Sequence, residues 1–188
     1  MAPPFLRAGD PMVVVPYDTD WPLLFHQTAD PLRQALGDVA LRIDHIGSTA
    51  VLGLAAKPII DIQIAVAALE PLIRYGALLE ALGYVLRADN PDRTKRYFRE
   101  SPGARRTHLH VRKGGSWSEQ FALLFRDFLR CHPQQAGEYA ALKLTLIRQY
   151  GDDRQGYTEA KGPLIWAIIH QATDWSQQTG WEPGPSDA

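Results

Sequence analysis

The sequence has a single cysteine, almost no net charge and no long apolar run, and each absence argues against a class of protein. Cys131 has no second cysteine with which to form an intramolecular disulfide, which indicates a reducing compartment. No apolar stretch approaches the roughly 18 residues that a membrane-spanning helix needs, and the first ten residues lack the pattern of a secretory signal. We therefore predict a cytoplasmic protein without a membrane segment.

Charge is distributed unevenly along the chain. The 188 residues are 45% hydrophobic and 22% charged, which is typical of a globular domain with a sizeable core. The segment from Arg87 to Lys113 contains nine basic and three acidic residues, a local charge of +6, whereas the whole chain has a formal charge of −1. A basic strip on an acidic body favours an anionic ligand, although exposed strands often carry such charges only as solvated side chains.

The apolar patterns predict one α+β domain over residues 13–176. Strands are predicted at 40–46, 58–66, 84–88, 96–100 and 107–113. Helices are predicted at 21–36, 70–82, 117–129 and 134–150, with another after Gly162-Pro163. We expect a five-stranded sheet flanked by helices, with a helical C-terminal third. Residues 1–12 and 177–188 are rich in Pro, Gly and small polar residues and are predicted to be loose termini.

The strongest functional pattern lies between the first two predicted strands. Twelve residues separate the turn Gly47-Ser48 from Asp61, which alternates with isoleucines and therefore faces away from the core together with Gln63. The glycine lets backbone approach a phosphate, the serine hydroxyl adds a donor, and the carboxylate can hold a divalent cation against the same phosphates. The alternative is an ordinary tight turn beside an exposed acidic residue.

A second pattern is His108-Leu109-His110, which places two imidazoles on one face of a predicted strand. Histidines at this spacing can bind a metal or hydrogen-bond to a phosphate. The neighbouring Arg105, Arg106 and Arg112 favour an anion over zinc. The alternative is a pair of polar residues on the solvent side of a strand.

Three further residues are candidates for ligand contacts. His45 precedes the glycine-serine turn, Lys57 precedes the Asp61 strand, and Lys161 stands before Gly162-Pro163. Each also has an ordinary interpretation: a hydrogen-bonded histidine at a strand end, a solvated loop lysine, and a lysine at a helix start with proline in its first turn.

These residues and their order resemble the GrpB family, which is related to the nucleotidyltransferase superfamily. The resemblance runs from about Val13 to Trp175, and one departure is Leu52, where the family usually has proline. It rests on the following segments: Pro16-Tyr17-Asp18 with Trp21, His45 to Val51, Gly53 to Ile62, Tyr97-Phe98, His108 to Val111, Leu123 to Arg130, Tyr139 to Lys143 and Tyr157 to Lys161.

The resemblance implies a nucleotidyltransferase-like fold with a mixed sheet. In that superfamily the turn binds a triphosphate and acidic residues on the strands bind divalent metals, so the resemblance assigns catalytic roles to Ser48 and Asp61, with magnesium on Asp61. Gln63 falls on the position of a second carboxylate, and His110 is the nearest polar substitute for a third. The expected function is nucleotidyl transfer from a nucleoside triphosphate to an unknown acceptor.

Two other functions stay open. A non-catalytic module that binds a nucleotide or phosphorylated metabolite is favoured by Gln63, because an amide is a weaker magnesium ligand than a carboxylate. GrpB-type domains are also found attached to dephospho-coenzyme A kinases, which points to adenine nucleotides and coenzyme A metabolism. An RNA-binding role for the basic strip is disfavoured, because the strands lack exposed-aromatic motifs.

Overall fold

The computed structural model describes residues 11–188, so most of the terminus predicted to be loose at 1–12 lies outside the described residues. Within the described range, no helix combines the length and apolarity that crossing a bilayer requires. The strands are β1 (Arg42–Ile46), β2 (Ile60–Val66), β3 (Tyr84–Leu86), β4 (Lys95–Glu100) and β5 (Thr107–Lys113). The helices are α1 (Trp21–Leu36), α2 (Gly76–Ala81), α3 (Trp117–Cys131), α4 (Pro133–Tyr150) and α5 (Arg154–Thr179).

The five strands form one mixed sheet in the order β1-β2-β5-β4-β3. Only β2 and β5 are parallel, and the other neighbours are antiparallel. The parallel register places Asp61 opposite His108 and Gln63 opposite His110. The predicted α+β fold, with its five-stranded sheet and helical C-terminal third, is confirmed.

The two faces of the sheet differ in chemistry. One face carries buried aliphatic side chains such as Ile43, Ile62 and Leu109 and packs on α1 and α2. The opposite face carries Asp61, Gln63 and their neighbours on β5, and it turns toward the C-terminal helices, whose own apolar cluster includes Val51 and Leu54 from the loop after β1. The candidate residues on β2 and β5 therefore lie between the sheet and a separate helical layer.

Two predicted helices have different bounds in the structure. The predicted helix at 70–82 is divided into a 3₁₀ turn, Leu72–Arg74, and the short helix α2. The last helix begins at Arg154, nine residues before Pro163, because the side chain of Asp153 caps it by accepting a hydrogen bond from the Gly156 amide at 3.0 Å. Pro163 is thus inside α5, although proline usually marks a helix start or break.

The C-terminal segment is attached to β1 rather than loose as predicted. The amide of Ala188 donates to the Ile43 carbonyl at 3.1 Å. The carboxylate of Asp187 accepts hydrogen bonds from the His45 amide at 2.9 Å and from the buried Arg126 guanidinium at 2.8 Å. These contacts cover the edge of β1 that has no strand neighbour among the described residues, so composition alone gave the wrong expectation.

Candidate functional site

Three side chains from β2 and β5 converge on one point of the polar face. The Oδ1 atom of Asp61 lies 3.0 Å from Nδ1 of His108 and 3.3 Å from Nε2 of His110. The two strands bring them together because Asp61 pairs with His108 in the parallel register and His110 follows two residues later on the same face. All three candidate ligand atoms lie within 4.8 Å of one another, so this trio could hold a metal ion.

The surroundings of Asp61 keep its carboxyl ionised. Burial opposes ionisation, but hydrogen bonds from His108 and His110 outweigh it and hold the pKa of Asp61 well below its usual range. Burial also lowers the pKa of His110 to about 4, against the opposing effect of Asp61. A neutral His110 beside a charged Asp61 is therefore the expected state at neutral pH.

The glycine-serine turn lies directly against Asp61. Gly47 has φ +72°, and a Cβ placed on it would come within 2.7 Å of Oδ2 of Asp61. Only glycine satisfies both the left-handed backbone conformation and this close approach. The structure thus brings together the turn and the acidic residue that the sequence pattern connects.

The hydroxyl of Ser48 is held by two residues of α4. Nζ of Lys143 donates to Oγ of Ser48 at 2.9 Å and also donates to the Ala55 carbonyl. Tyr139, one helical turn earlier, shares a side-chain hydrogen bond with Ser48. Burial, followed by the charge of Lys161, lowers the pKa of Lys143 to about 7. A buried ammonium group therefore lies beside the turn.

Two more lysines extend this positive region. Nζ of Lys57 lies 3.8 Å from the ring centroid of Tyr157, and Nζ of Lys161 lies 4.8 Å from the same centroid. Burial, followed by the charge of Lys161, lowers the pKa of Lys57 to about 8. Among residues 11–188, Lys95 is the only lysine with a carboxylate within 4 Å. The three ammonium groups near the turn therefore lack a close counter-ion in the described part of the chain.

Gln63 and Arg106 are engaged by other side chains. Gln63 is fully buried, its amide oxygen accepts a hydrogen bond from Arg112, and its nitrogen donates to the carbonyl of Glu119 at 3.3 Å. Nε of Arg106 lies 2.8 Å from Glu100, and its Nη2 lies 3.3 Å from Nε2 of His108. Arg106 thus borders the trio, whereas Gln63 is packed beneath the helical layer.

The structure places His45 away from the other candidates. It faces α1, where its ring stacks on Phe25 with centroids 4.8 Å apart, and its Nε2 lies 2.9 Å from Oγ1 of Thr49. Burial lowers the pKa of His45 to about 3. Because His45 pairs with Ile62 and not with Asp61, it points to the apolar face of the sheet. The ring therefore packs against α1 on the face of the sheet opposite Asp61, whereas the sequence predicted a ligand contact.

Sequence reasoning missed two features of the site. Lys143 and Tyr139 received no role, although their i, i+4 spacing places both on one face of a helix. Tyr97 on β4 was also missed; it pairs with His110 in the sheet and stacks on its ring with centroids 5.2 Å apart. The helix spacing was a usable signal, but the strand pairing was not readable from the sequence.

Comparisons with known proteins agree on one family. The model of the family described as "GrpB protein" matches residues 11–171. The UPF0157 protein PA4798 of Pseudomonas aeruginosa is 40% identical over 87% of this chain and 68% of its own length. The UPF0157 protein YqkA of Bacillus subtilis is 34% identical over 87% of this chain and 48% of its own length.

Two further similarities concern a longer protein and a solved structure. A protein named dephospho-CoA kinase from Mycolicibacterium paratuberculosis is 34% identical over 94% of this chain and 49% of its own length. The chain thus spans about half the length of this relative and of the B. subtilis one. The crystal structure of conserved protein GrpB from Enterococcus faecalis superposes with a TM-score of 0.80 and 32% identity, covering 88% of this chain and 99% of that one.

Proposed function

The chain belongs to the GrpB protein family, and from this premise we propose that the Gly47-Ser48 turn, Asp61 and the lysines Lys57, Lys143 and Lys161, together called the cleft below, bind the phosphates of a nucleoside triphosphate for nucleotidyl transfer. The phosphates would lie between the Gly47-Ser48 turn and the lysines of α4 and α5. Ser48 offers a hydroxyl to a phosphate oxygen, and Gly47 allows close backbone approach. Asp61 stands beside the turn as the acidic group nearest to that position.

The observation that carries this proposal is that Lys57, Lys143 and Lys161 have no carboxylate within 4 Å among residues 11–188. Removing an ammonium group from water is unfavourable, and like charges nearby add to the cost. Both effects lower the pKa values of Lys57 and Lys143. A polyphosphate would supply the missing negative charge and form charge-assisted hydrogen bonds with the ammonium groups. In a site of this kind, the bound ligand itself supplies the negative charge that stabilises the lysines.

The proposed reaction forms a bond between an acceptor oxygen and the α-phosphorus and breaks the bond to the β-phosphate oxygen. Pyrophosphate leaves with additional negative charge, which the lysines would stabilise. Asp61 is ionised and can orient an acceptor hydroxyl by accepting a hydrogen bond from it, and the hydroxyl proton passes to solvent water as the new bond forms. Magnesium prefers oxygen ligands, whereas two of the three convergent donors here are imidazole nitrogens, so that donor set does not fit it.

A second candidate function is a non-catalytic nucleotide-binding module. Gln63 occupies the position at which the superfamily pattern implies a second carboxylate, and its amide is already bound by Arg112 and by the Glu119 carbonyl. The cleft therefore presents one carboxylate instead of two. The similarity to proteins named dephospho-CoA kinase favours an adenine nucleotide or a coenzyme A precursor as the ligand of such a module.

The basic strip gives little support to RNA binding. Several of its arginines and lysines form ion pairs with neighbouring carboxylates: Arg87 with Asp89, Lys95 with Asp92, Arg96 with Glu70, and Arg99 and Arg106 with Glu100. Pairing of this kind weakens the field that a phosphate backbone would need. The lysines of the cleft, which lack such partners within residues 11–188, are the better anion site.

The test measures ligand binding and turnover separately. Thermal shifts with ATP, CTP and coenzyme A, each with and without a divalent cation, report binding, because a ligand selective for the folded state raises the melting temperature. A coupled assay detects released pyrophosphate with a panel of acceptors. Stabilisation with pyrophosphate release supports the transferase, and stabilisation without it supports the module. No stabilisation by any phosphorylated compound would overturn both.

A further inference from the structure

We propose that Asp61, His108 and His110 form a site for a late first-row divalent cation, such as Zn²⁺ or Co²⁺, rather than for magnesium. The proposal rests on the proposed function only in placing this cation beside the bound phosphates. The donor atoms themselves come from the strands and are independent of any nucleotide. One carboxylate oxygen and two imidazole nitrogens are a set that suits zinc and its neighbours, whereas magnesium favours oxygen.

The spacing of the donor atoms fits one shared cation. Zinc binds imidazole nitrogen and carboxylate oxygen at about 2.0–2.2 Å, which separates adjacent ligand atoms by roughly 3.0–3.5 Å. The observed separations from Oδ1 of Asp61 are 3.0 Å to His108 and 3.3 Å to His110. Both separations from Asp61 match a shared ion, and all three donor atoms lie within 4.8 Å of one another, so no change in strand register is required.

Neighbouring rings fix the orientation of both imidazoles. Tyr97 stacks on His110 at an interplanar angle of 30° and meets His108 edge-on at 77°, with centroids 5.2 and 5.5 Å apart. Strand pairing sets these contacts, because Tyr97 lies opposite His110 in the β4–β5 ladder. Groups that orient ligands in this way raise metal affinity because less conformational freedom is lost on binding.

Metal binding changes the hydrogen bonding of both imidazoles. A cation on Nε2 of His110 requires a hydrogen on Nδ1, which is buried and has no hydrogen-bond partner among the described residues. At His108, Arg106 must adjust. A cation on Nδ1 of His108 requires a hydrogen on Nε2, which then faces Nη2 of Arg106 at 3.3 Å. Two donors cannot share this contact, so the guanidinium has to turn toward Glu100, which already lies 2.8 Å from its Nε. The geometry therefore couples metal occupancy to the Arg106–Glu100 ion pair.

The charge of the cleft predicts that metal and anion bind cooperatively. Lys57 and Lys161 are close enough to Asp61 for its charge to affect their pKa values, so their ammonium groups oppose a free cation. A phosphate bound to the lysines removes this repulsion. Each ligand should then raise the affinity of the other by the same factor.

The test uses the whole chain, stripped of metal with a chelator and titrated with Co²⁺, Zn²⁺ and Mg²⁺. We expect one Co²⁺ per chain, seen as a ligand-field absorption band, and Zn²⁺ binding at least 100-fold tighter than Mg²⁺. His110→Ala and Asp61→Asn should each weaken Zn²⁺ binding by at least tenfold, since each removes one of three ligands. His170→Ala, at an exposed position of α5, is the matched control. Circular dichroism verifies that the variants fold.

Three results would overturn the metal site: tighter binding of Mg²⁺ than of Zn²⁺, no cobalt band, or equal zinc affinity in the wild type and in folded His110→Ala. Titration with inorganic phosphate separates this failure from that of the proposed function. Phosphate binding without cobalt binding rejects the metal site alone. Cobalt binding without any phosphate or nucleotide binding rejects the anion cleft and leaves the metal site.

Discussion

Nζ of Lys143 lies 2.9 Å from Oγ of Ser48, although 95 positions separate the two residues in the sequence. This contact connects α4 to the turn after β1, so the helical C-terminal third completes a site that begins in the sheet. A turn whose hydroxyl is bound by a buried lysine differs from an ordinary connection between strands. The contact also makes Lys143 the most direct probe of anion binding.

Replacing Lys143 by methionine should weaken binding of phosphate or nucleotide roughly 10- to 100-fold, because a hydrogen bond to a charged group contributes about 1.5–3 kcal/mol. Isothermal titration calorimetry measures the change. Lys113→Met, at an exposed end of β5, is the control and should bind as the wild type does. Equal losses in both variants would mean that only general electrostatic attraction is involved.

Anion binding should weaken as the pH rises above about 7. Lys143 has a pKa of about 7 in the free cleft, and Lys57 one of about 8, so both lose their charge in this range. A bound anion favours the protonated lysine. At a pH above these pKa values, each lysine must therefore take up a proton when the anion binds. The affinity for the anion then falls by up to about tenfold per pH unit for each proton taken up. Sulfate is the suitable probe, because it does not itself titrate between pH 6 and 9.

The same lowered pKa predicts an opposite trend for the stability of the free protein. The unfolded chain has an ordinary lysine pKa of 10.5, so between about pH 7 and 10.5 it binds more protons than the folded chain. The contribution of Lys143 to stability therefore increases with pH across this window. Denaturant unfolding of the wild type and Lys143→Met at pH 7 and 9 should show a smaller pH effect in the variant.

The sequence predicted the helices and strands well, because the pattern of apolar residues within each helix or strand is a short-range property of the sequence. The helix at 21–36 and the strand at 107–113 have the predicted bounds, and alternation correctly placed Asp61 on the polar face. The orientation of His45 was not predictable in this way, because it depends on the pairing of β1 with β2, which sets His45 opposite Ile62. Lys143 was missed because its contact with Ser48 depends on how α4 packs across the turn; the i, i+4 spacing places Lys143 and Tyr139 on one helix face but does not specify what that face contacts.

Gly47→Ala should destabilise the protein and disturb Asp61. The added Cβ would approach Oδ2 of Asp61 to 2.7 Å, and alanine must adopt a φ of +72°. Gly53→Ala is a matched control, because Gly53 has φ +76° but nothing within 4 Å of an added Cβ. In both variants, backbone strain should lower the unfolding free energy by about 1 kcal/mol. Gly47→Ala should show a further decrease from the contact with Asp61 and should also bind metal less tightly. Similar unfolding free energies and metal affinities for the two would show that the turn tolerates a side chain facing Asp61.

Gln63→Glu tests whether the missing second carboxylate can be restored by one substitution. The buried amide donates to the Glu119 carbonyl and accepts from Arg112. A glutamate would keep the contact with Arg112 but would place a carboxylate oxygen against the Glu119 carbonyl in place of a donor, which costs about 1–3 kcal/mol of stability. Because Arg112 would retain the new carboxylate, we expect no gain in affinity for Mg²⁺. Gln171→Glu, an exposed change on α5, controls for the added negative charge.

Denaturant unfolding and magnesium titration of the two glutamate variants distinguish the outcomes. Lower stability with unchanged magnesium affinity in Gln63→Glu means that the residue serves the contact between the sheet and α3. A tenfold gain in magnesium affinity, absent from Gln171→Glu, would instead mean that the side chain at 63 turns into the cleft and completes a two-carboxylate site. Magnesium would then have, in this variant, the oxygen ligands it prefers.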